Sequence, residues 1–304
     1  MPKSQGDRKA SSDLAHQRGS RPEQSRLDAS LHNVLILAAT PIGNLGDASK
    51  RLIELLGSAD HIAAEDTREL KKLASRLEAK LHAKLYSLHE HNESDRLSQL
   101  VEIAKTQDVV VVSDAGMPTV SDPGFLLVRE CISQDVEVSV VPGPSAVLAG
   151  LAVSGLATDR FCFEGFLPRK QGERKGVFES IKNDKRTLIF FEAPHRILES
   201  LEDALTVLGD RPASVSRELT KKFEHTERGL LSDLIAWAKT EPKGEMVLVI
   251  SGAQDKEIDY DELGRQALDL KNEGLGLKKA SQLLASQHNA SSSAIYERAL
   301  TLKA

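Results

Sequence analysis

No apolar run in this 304-residue chain approaches the roughly 20 residues that a membrane-spanning helix needs; Val34 to Ala39 and Val109 to Val112 are typical of what it has. Two cysteines, Cys131 and Cys162, are too few for a disulfide framework, which points to a reducing cytoplasm. Aromatic residues make up only 4%, leaving few rings on which a run of splayed bases could stack. Positive charge is not in excess either. The formal net charge is -5, so any affinity for phosphate has to come from a local basic patch. What remains is ordinary for a globular protein, at 40% hydrophobic and 28% charged, with length for about two domains.

Residues 1–30, Met1 through Ser30, mix Lys, Arg, Ser, Gln and Asp with almost no large apolar side chains, and read as a disordered basic tail. From Leu31 short apolar runs alternate with amphipathic helical stretches, beginning with Val34 to Ala39 and continuing through Glu137 to Val141. That alternation predicts a mostly parallel sheet covered on both faces, an N-terminal α/β domain over 31–155. The pattern restarts after Gly155 and predicts a second α/β domain over 156–254. A charged linker leads to 259–304, where Asp261 to Lys271, Lys278 to Ala285 and Ser293 to Leu302 read as three short helices forming a small C-terminal helical module.

Open parallel sheets bind ligands beyond the carboxyl ends of their strands. Five consecutive predicted strands empty into Thr40 to Asp47, Glu65 to Arg68, His89 to Glu93, Ser113 to Gly124 and Pro142 to Ser145, all rich in Gly, Pro and polar residues. Any one such loop can be a simple turn; five in register predict a cleft. Asp114, directly after a buried strand, is expected to contact a ligand, and Asp122, just before Pro123 and a helix, to cap that helix. Ser145 lacks the final glycine of a nucleophile elbow. His89 and His91 with Glu90 and Glu93 have no second cluster at metal-ligand spacing, so no metal is expected. Gly274 and Gly276 lack the third glycine and preceding strand of a dinucleotide loop.

Among groups that follow the strands, Glu65, Asp66, His89 and Glu90 are candidates to take a proton, and Arg68 and Arg196 to hold a phosphate as planar bidentate donors. Asp66 with Arg68 reads equally well as a structural ion pair. Clustered cations that suit RNA phosphates are Arg169, Lys170, Arg174 and Lys175, with Lys221 and Lys222; the first group also reads as a solvated loop. Lys278 and Lys279 either extend that footprint or form the exposed face of a helix.

Thr40-Pro-Ile-Gly-Asn44, Ala64-Glu-Asp-Thr-Arg68, His89-Glu-His-Asn92, Ser113-Asp-Ala-Gly116, Val141-Pro-Gly-Pro-Ser145, Phe163-Glu-Gly-Phe-Leu-Pro168, Arg217-Glu-Leu-Thr220 and Gly244-Glu-Met-Val-Leu-Val249 occur in that order. Together they resemble the bacterial ribosomal RNA small-subunit methyltransferase I family, a branch of the tetrapyrrole methylase superfamily, over Val34 to Gly252. The resemblance implies a two-domain class III methyltransferase fold with a helix-turn-helix-like C-terminal module, a homodimer, and S-adenosylmethionine held between the domains. The implied substrate is the ribose 2'-hydroxyl of a decoding-site cytidine in 16S rRNA of the small ribosomal subunit. Carried onto this chain, the cofactor contacts would be Pro41, Gly43 and Asn44, Asp114, Ala115, Gly116 and Met117, Ser145 and Ala146, with Phe190 and Gly244, Glu245 and Met246 from the second domain. The chain departs from the family pattern at Met117, where threonine is usual, and at Ala193, where serine is usual.

Overall fold

The computed structural model describes residues 33–89, 91–240, 242–254 and 259–303. The expected N-terminal tail, residues 1–30, lies outside them.

Residues Val34–Ala38 (β1), His61–Ala64 (β2), Lys84–Ser87 (β3), Val109–Val112 (β4) and Glu137–Val141 (β5) form a five-stranded sheet of order β3-β2-β4-β1-β5. Every pairing in it is parallel, as the near-continuous apolar strands predict. Alternation along β1 and β4 divides their side chains between two cores. Ile36, Val110 and Val112 pack against Leu52 and Leu56 of Lys50–Ser58 (α1) and Leu70 of Thr67–Arg76 (α2). Leu35, Val109 and Val111 pack on the other face against Leu100 of Glu93–Ala104 (α3) and Leu127 of Phe125–Ser133 (α4).

The second sheet is mixed. Phe161–Phe166 (β6), Thr187–Glu192 (β7), Pro212–Arg217 (β8), His225–Leu230 (β9) and Met246–Ile250 (β10) lie in the order β6-β7-β10-β8-β9. Only β6 and β7 are parallel. One face carries Gln171–Ser180 (α6), Ile197–Leu208 (α7) and Leu231–Ala238 (α8) over Leu188, Phe190, Val215 and Leu248.

The other face is covered by Ala146–Ser154 (α5), which leaves the first sheet after β5 and buries Val147 and Leu151 against Ile189, Val247 and Val249. Its Gly150 lets the backbone come close, since a Cβ there would lie 2.6 Å from Val247 Cγ1. The Asn44 backbone N–H also donates to Thr220 Oγ1 at 3.1 Å. These contacts fix the strand ends of the first sheet against a face of the second. Tyr260–Asn272 (α9), Leu277–His288 (α10) and Ser292–Lys303 (α11) close on a core of their own, built from Leu263, Ala267, Ala280, Leu284, Ile295 and Ala299.

Candidate active site

The loops after β1 and β4 are joined backbone to backbone. Thr40 and Gly116 exchange hydrogen bonds of 2.9 and 3.1 Å, and Thr40 Oγ1 donates to the Ser113 carbonyl at 3.2 Å. Gly116 takes φ +84°, a left-handed conformation that a side chain would strain. The loop after β2 is tied to the same point, because the Asp66 backbone N–H donates to Asp114 Oδ1 at 3.1 Å. Three strand ends therefore share one hydrogen-bonded rim.

A cleft of about 400 Å³ opens beside this rim, floored by the second sheet. From the first sheet it takes Glu65, Asp114 to Met117, Val120 to Asp122, and Ser145 and Ala146. From the second it takes Phe166, Phe191 to Pro194, Leu219 and Glu245 to Val247. Its lining holds the carboxylates Glu65, Asp114, Asp122, Glu192 and Glu245 and neither lysine nor arginine. Burial pushes the Glu65 and Asp114 carboxyls above their ordinary range, aided by the charges of Asp114 on Glu65 and of Asp66 on Asp114. Burial, then the charge of Glu65, raises Asp122 from 3.8 to about 7.

Asp122 does not cap the helix it precedes, contrary to the expectation from its position. Glu93, on α3, takes that role: its Oε1 accepts the backbone N–H groups of Gly124, Leu126 and Leu127 at 3.1, 2.8 and 3.2 Å. A carboxylate suits the positive end of a helix, and this one leaves Asp122 turned to the cleft. Nearby Thr119 and Ser121 hold φ of +74° and +63°, so the same loop carries backbone strain of the kind that collects at functional sites.

Several expected contacts fall elsewhere. Phe190 is fully buried against Phe178 in the core beneath the sheet; the alternation of β7 turns its neighbour Phe191 to the cleft instead. Pro41 and Gly43 line an adjoining depression that shares Asp114, while Ile42 reaches the main cleft. Asn44 caps the turn that follows it, accepting the Gly46 N–H at 3.0 Å. Gly244 stands outside the lining against Glu218. Met117 and Ala193, where the chain departs from the family pattern, both line the cleft.

Arg196, expected to hold a phosphate, is committed inside the protein: its Nη2 lies 2.8 Å from Glu192 Oε1 and also bonds the Leu167 carbonyl. Arg68 and Asp66 form the ion pair of the structural reading, at 2.6 Å on the surface, and the guanidinium holds the Asp66 carboxyl below its usual range. His89 is outside the cleft lining; its Nδ1 is buried without a hydrogen-bond partner among the described residues. Glu90 lies outside the described residues.

The cations divide in the same way. Arg174 is buried, bonded to Asp203 at 2.7 Å and to the carbonyls of Pro168 and Arg169, so it cannot meet RNA. Lys175 lies 3.4 Å from the same Asp203, and Lys221 sits between Glu218 and Glu245 at 3.1 and 2.8 Å. Lys170 is exposed, with Glu173 at 2.9 Å. Arg169 and Lys222 also remain at the surface. Among the described residues no group of three His, Cys, Asp or Glu is placed to hold a metal ion, and no helix is long and apolar enough to cross a membrane.

Residues 34–235 match the family model of the tetrapyrrole (corrin/porphyrin) methylases. The chain is 41% identical to a ribosomal RNA small subunit methyltransferase I of Escherichia coli O157:H7, over 88% of this chain and 94% of that protein. It is 42% identical to the protein of the same name from Haemophilus influenzae, over 88% of this chain and 96% of that one. The chain belongs to the ribosomal RNA small subunit methyltransferase I family. Its tetrapyrrole methylase fold also recurs in a uroporphyrin-III C-methyl transferase of Thermus thermophilus, complexed with S-adenyl homocysteine. That structure has a TM-score of 0.51 at 19% identity, over 72% of this chain and 97% of that one. Family membership accounts for the order of the strand-end motifs. Asp122 lies in a loop that the sequence assigns to the cleft although capping was its expected role, while no expectation from the sequence singles out Phe166 or Phe191; for Phe191 the signal was available, because a strand's two faces alternate.

Proposed function

We propose that this chain transfers a methyl group from S-adenosylmethionine to the ribose 2'-hydroxyl of a decoding-site cytidine in 16S rRNA, acting on the small ribosomal subunit in the cytoplasm. The observation that carries the reading is the charge of the cleft. Five carboxylates and no cation line it; Arg196 and Lys221 offset Glu192 and Glu245 from outside the lining, and Glu65, Asp114 and Asp122 are left to suit a donor bearing a sulfonium and an ammonium. Apolar walls of Ile42, Val147, Leu219 and Val247 fit the donor's adenosine. The relatives' printed name supplies the substrate class.

When bound, the donor supplies an electrophilic methyl group on sulfur. In-line transfer to a hydroxyl needs no metal and no covalent intermediate, and positioning alone can contribute about 7–11 kcal/mol. Asp114 and Ala115 to Met117 line the cleft and would hold the donor, with Ser145 and Ala146 at the neighbouring strand end. Asp122, raised to about 7 by burial and then by the charge of Glu65, is matched to take the hydroxyl proton. RNA phosphates stay outside the acidic cleft, at Arg169, Lys170 and Lys222. The homodimer implied by the family is supported by Phe125, Ile132, Val140 and Leu148, apolar side chains left exposed on α4, β5 and α5. Transfer of labelled methyl to small ribosomal subunits tests the reading. Label on a tetrapyrrole instead would assign the chain to the other branch of its superfamily, and label on neither would leave a cofactor-binding assembly factor.

A further inference from the structure

β6 does not run straight. Its pairing with β7 slips between Phe163 and Phe166, and Gly165 at the slip takes φ +73°, a conformation that a side chain would strain. Bulges of this kind re-aim the side chain that follows. Here that side chain is Phe166, 60% exposed and on the wall of the cleft. The bulge lies against the loop that carries Asp122, for a Cβ on Gly165 would stand 3.9 Å from Ser121 Oγ.

The ring is anchored rather than loose. Its centroid lies 5.4 Å from that of Phe191 in an edge contact, and Phe191 stands 4.8 Å from Phe163 in turn. An aromatic side chain braced by a neighbouring ring, itself packed on a third, and left open to water at a cleft marks a binding surface. Charge indicates the occupant. Arg169 and Lys170, both at the surface, follow Phe166 at a distance the chain spans in about 10–14 Å when extended, so a nucleic-acid backbone held there places a base within reach of the ring.

A nucleotide whose ribose is drawn into the cleft loses stacking as it turns away from its neighbours, and a ring offered to the displaced base offsets part of that loss. On the reading that the substrate is a ribose in RNA, we infer that Phe166 is the platform on which the base of the target nucleotide stacks, holding its ribose toward Asp122. Phe166 touches substrate and takes no part in proton transfer.

The test compares wild type with Phe166→Ala, Phe166→Leu and Phe166→Tyr in steady-state methylation of small subunits and in calorimetric titration with S-adenosylmethionine. Leucine keeps the apolar bulk and folding contacts without the ring; tyrosine keeps the ring. The expected result is a KM for subunits raised about ten-fold or more in the Ala and Leu variants, with kcat less affected. The Tyr variant should stay near wild type and donor affinity should be unchanged throughout. Donor affinity that falls in parallel in the Ala and Leu variants would show the ring stacking on the donor's adenine and would overturn the inference. So would an active wild type matched by an equally active Leu variant. A wild type that leaves small subunits unmethylated would overturn the functional reading and the platform with it.

Discussion

Arg174 Nη2 lies 2.7 Å from Asp203 Oδ2, and both side chains are almost wholly buried. Breaking a pair of this kind leaves an uncompensated buried charge and costs about 3–5 kcal/mol. Arg174→Gln should therefore lower the urea midpoint of unfolding and aggregate on warming, while any folded fraction binds RNA with the wild-type salt dependence. A stable variant with a flattened salt slope would return Arg174 to the RNA surface.

RNA capture should rest on the cations left at the surface. Replacing Arg169, Lys170 and Lys222 together with Gln should remove roughly 0.7–0.9 units of log–log salt slope for each phosphate deprived of its cation. Affinity for S-adenosylmethionine should not change, because none of these residues lines the cleft. Binding of subunits over a salt series gives the answer; parallel slopes for the two proteins would place the RNA elsewhere.

Asp114 holds the rim together and also faces the cleft, so Asp114→Ala should weaken donor binding by about ten-fold or more, as removal of a charge-assisted hydrogen bond does. Titration calorimetry measures it. Unchanged affinity would remove Asp114 from the donor site.

The carboxyl of Asp122 is raised from 3.8 to about 7, so the folded chain holds this proton more tightly than the unfolded one. Stability should accordingly fall as pH rises from about 4 to about 7, with the full cost of the buried charge present above that window. Activity should run the other way, rising through about 7 as the base is freed. Asp122→Asn should flatten the stability slope, gaining on the order of 1–2 kcal/mol at pH 8 once solvent screening is discounted. It should also cost roughly 10²–10⁴ in kcat. Denaturant melts and initial rates across pH check both arms, and an Asn variant with wild-type rates would exclude Asp122 as the base.

Because α9, α10 and α11 bury their apolar residues in a core of their own, deleting 259–304 should leave donor binding intact. Methylation of subunits should fall if Lys278 and Lys279 belong to the RNA footprint. Normal rates in the truncated protein would deny the module a substrate role.

Much of the architecture was readable in the order of residues. Short β-branched runs such as Val109-Val-Val-Val112 read as strands buried on both sides, and the helices between them favour parallel neighbours. Two elements were overlooked for opposite reasons. His225–Leu230 is a polar edge strand without clear alternation, and Ala146–Ser154 carries apolar side chains on its exposed face as well, Leu148 among them, so no amphipathic period marks it as a helix.

By itself, then, the sequence determined the alternation of strands and helices and four of the five strand-end loops that meet at the cleft, since both are written in local periodicity and turn chemistry. Partnership was decided only in three dimensions. Glu93 reaches across 31 residues to cap α4 and so releases Asp122 to the cleft. Asp203, 29 residues from Arg174, takes that guanidinium into the interior. Alternation separates Phe190 from Phe191, but only the packing of the second sheet decides which of the two faces the cleft. Charge and burial depend on what the folded chain brings within a few ångströms, and no local pattern carries that information.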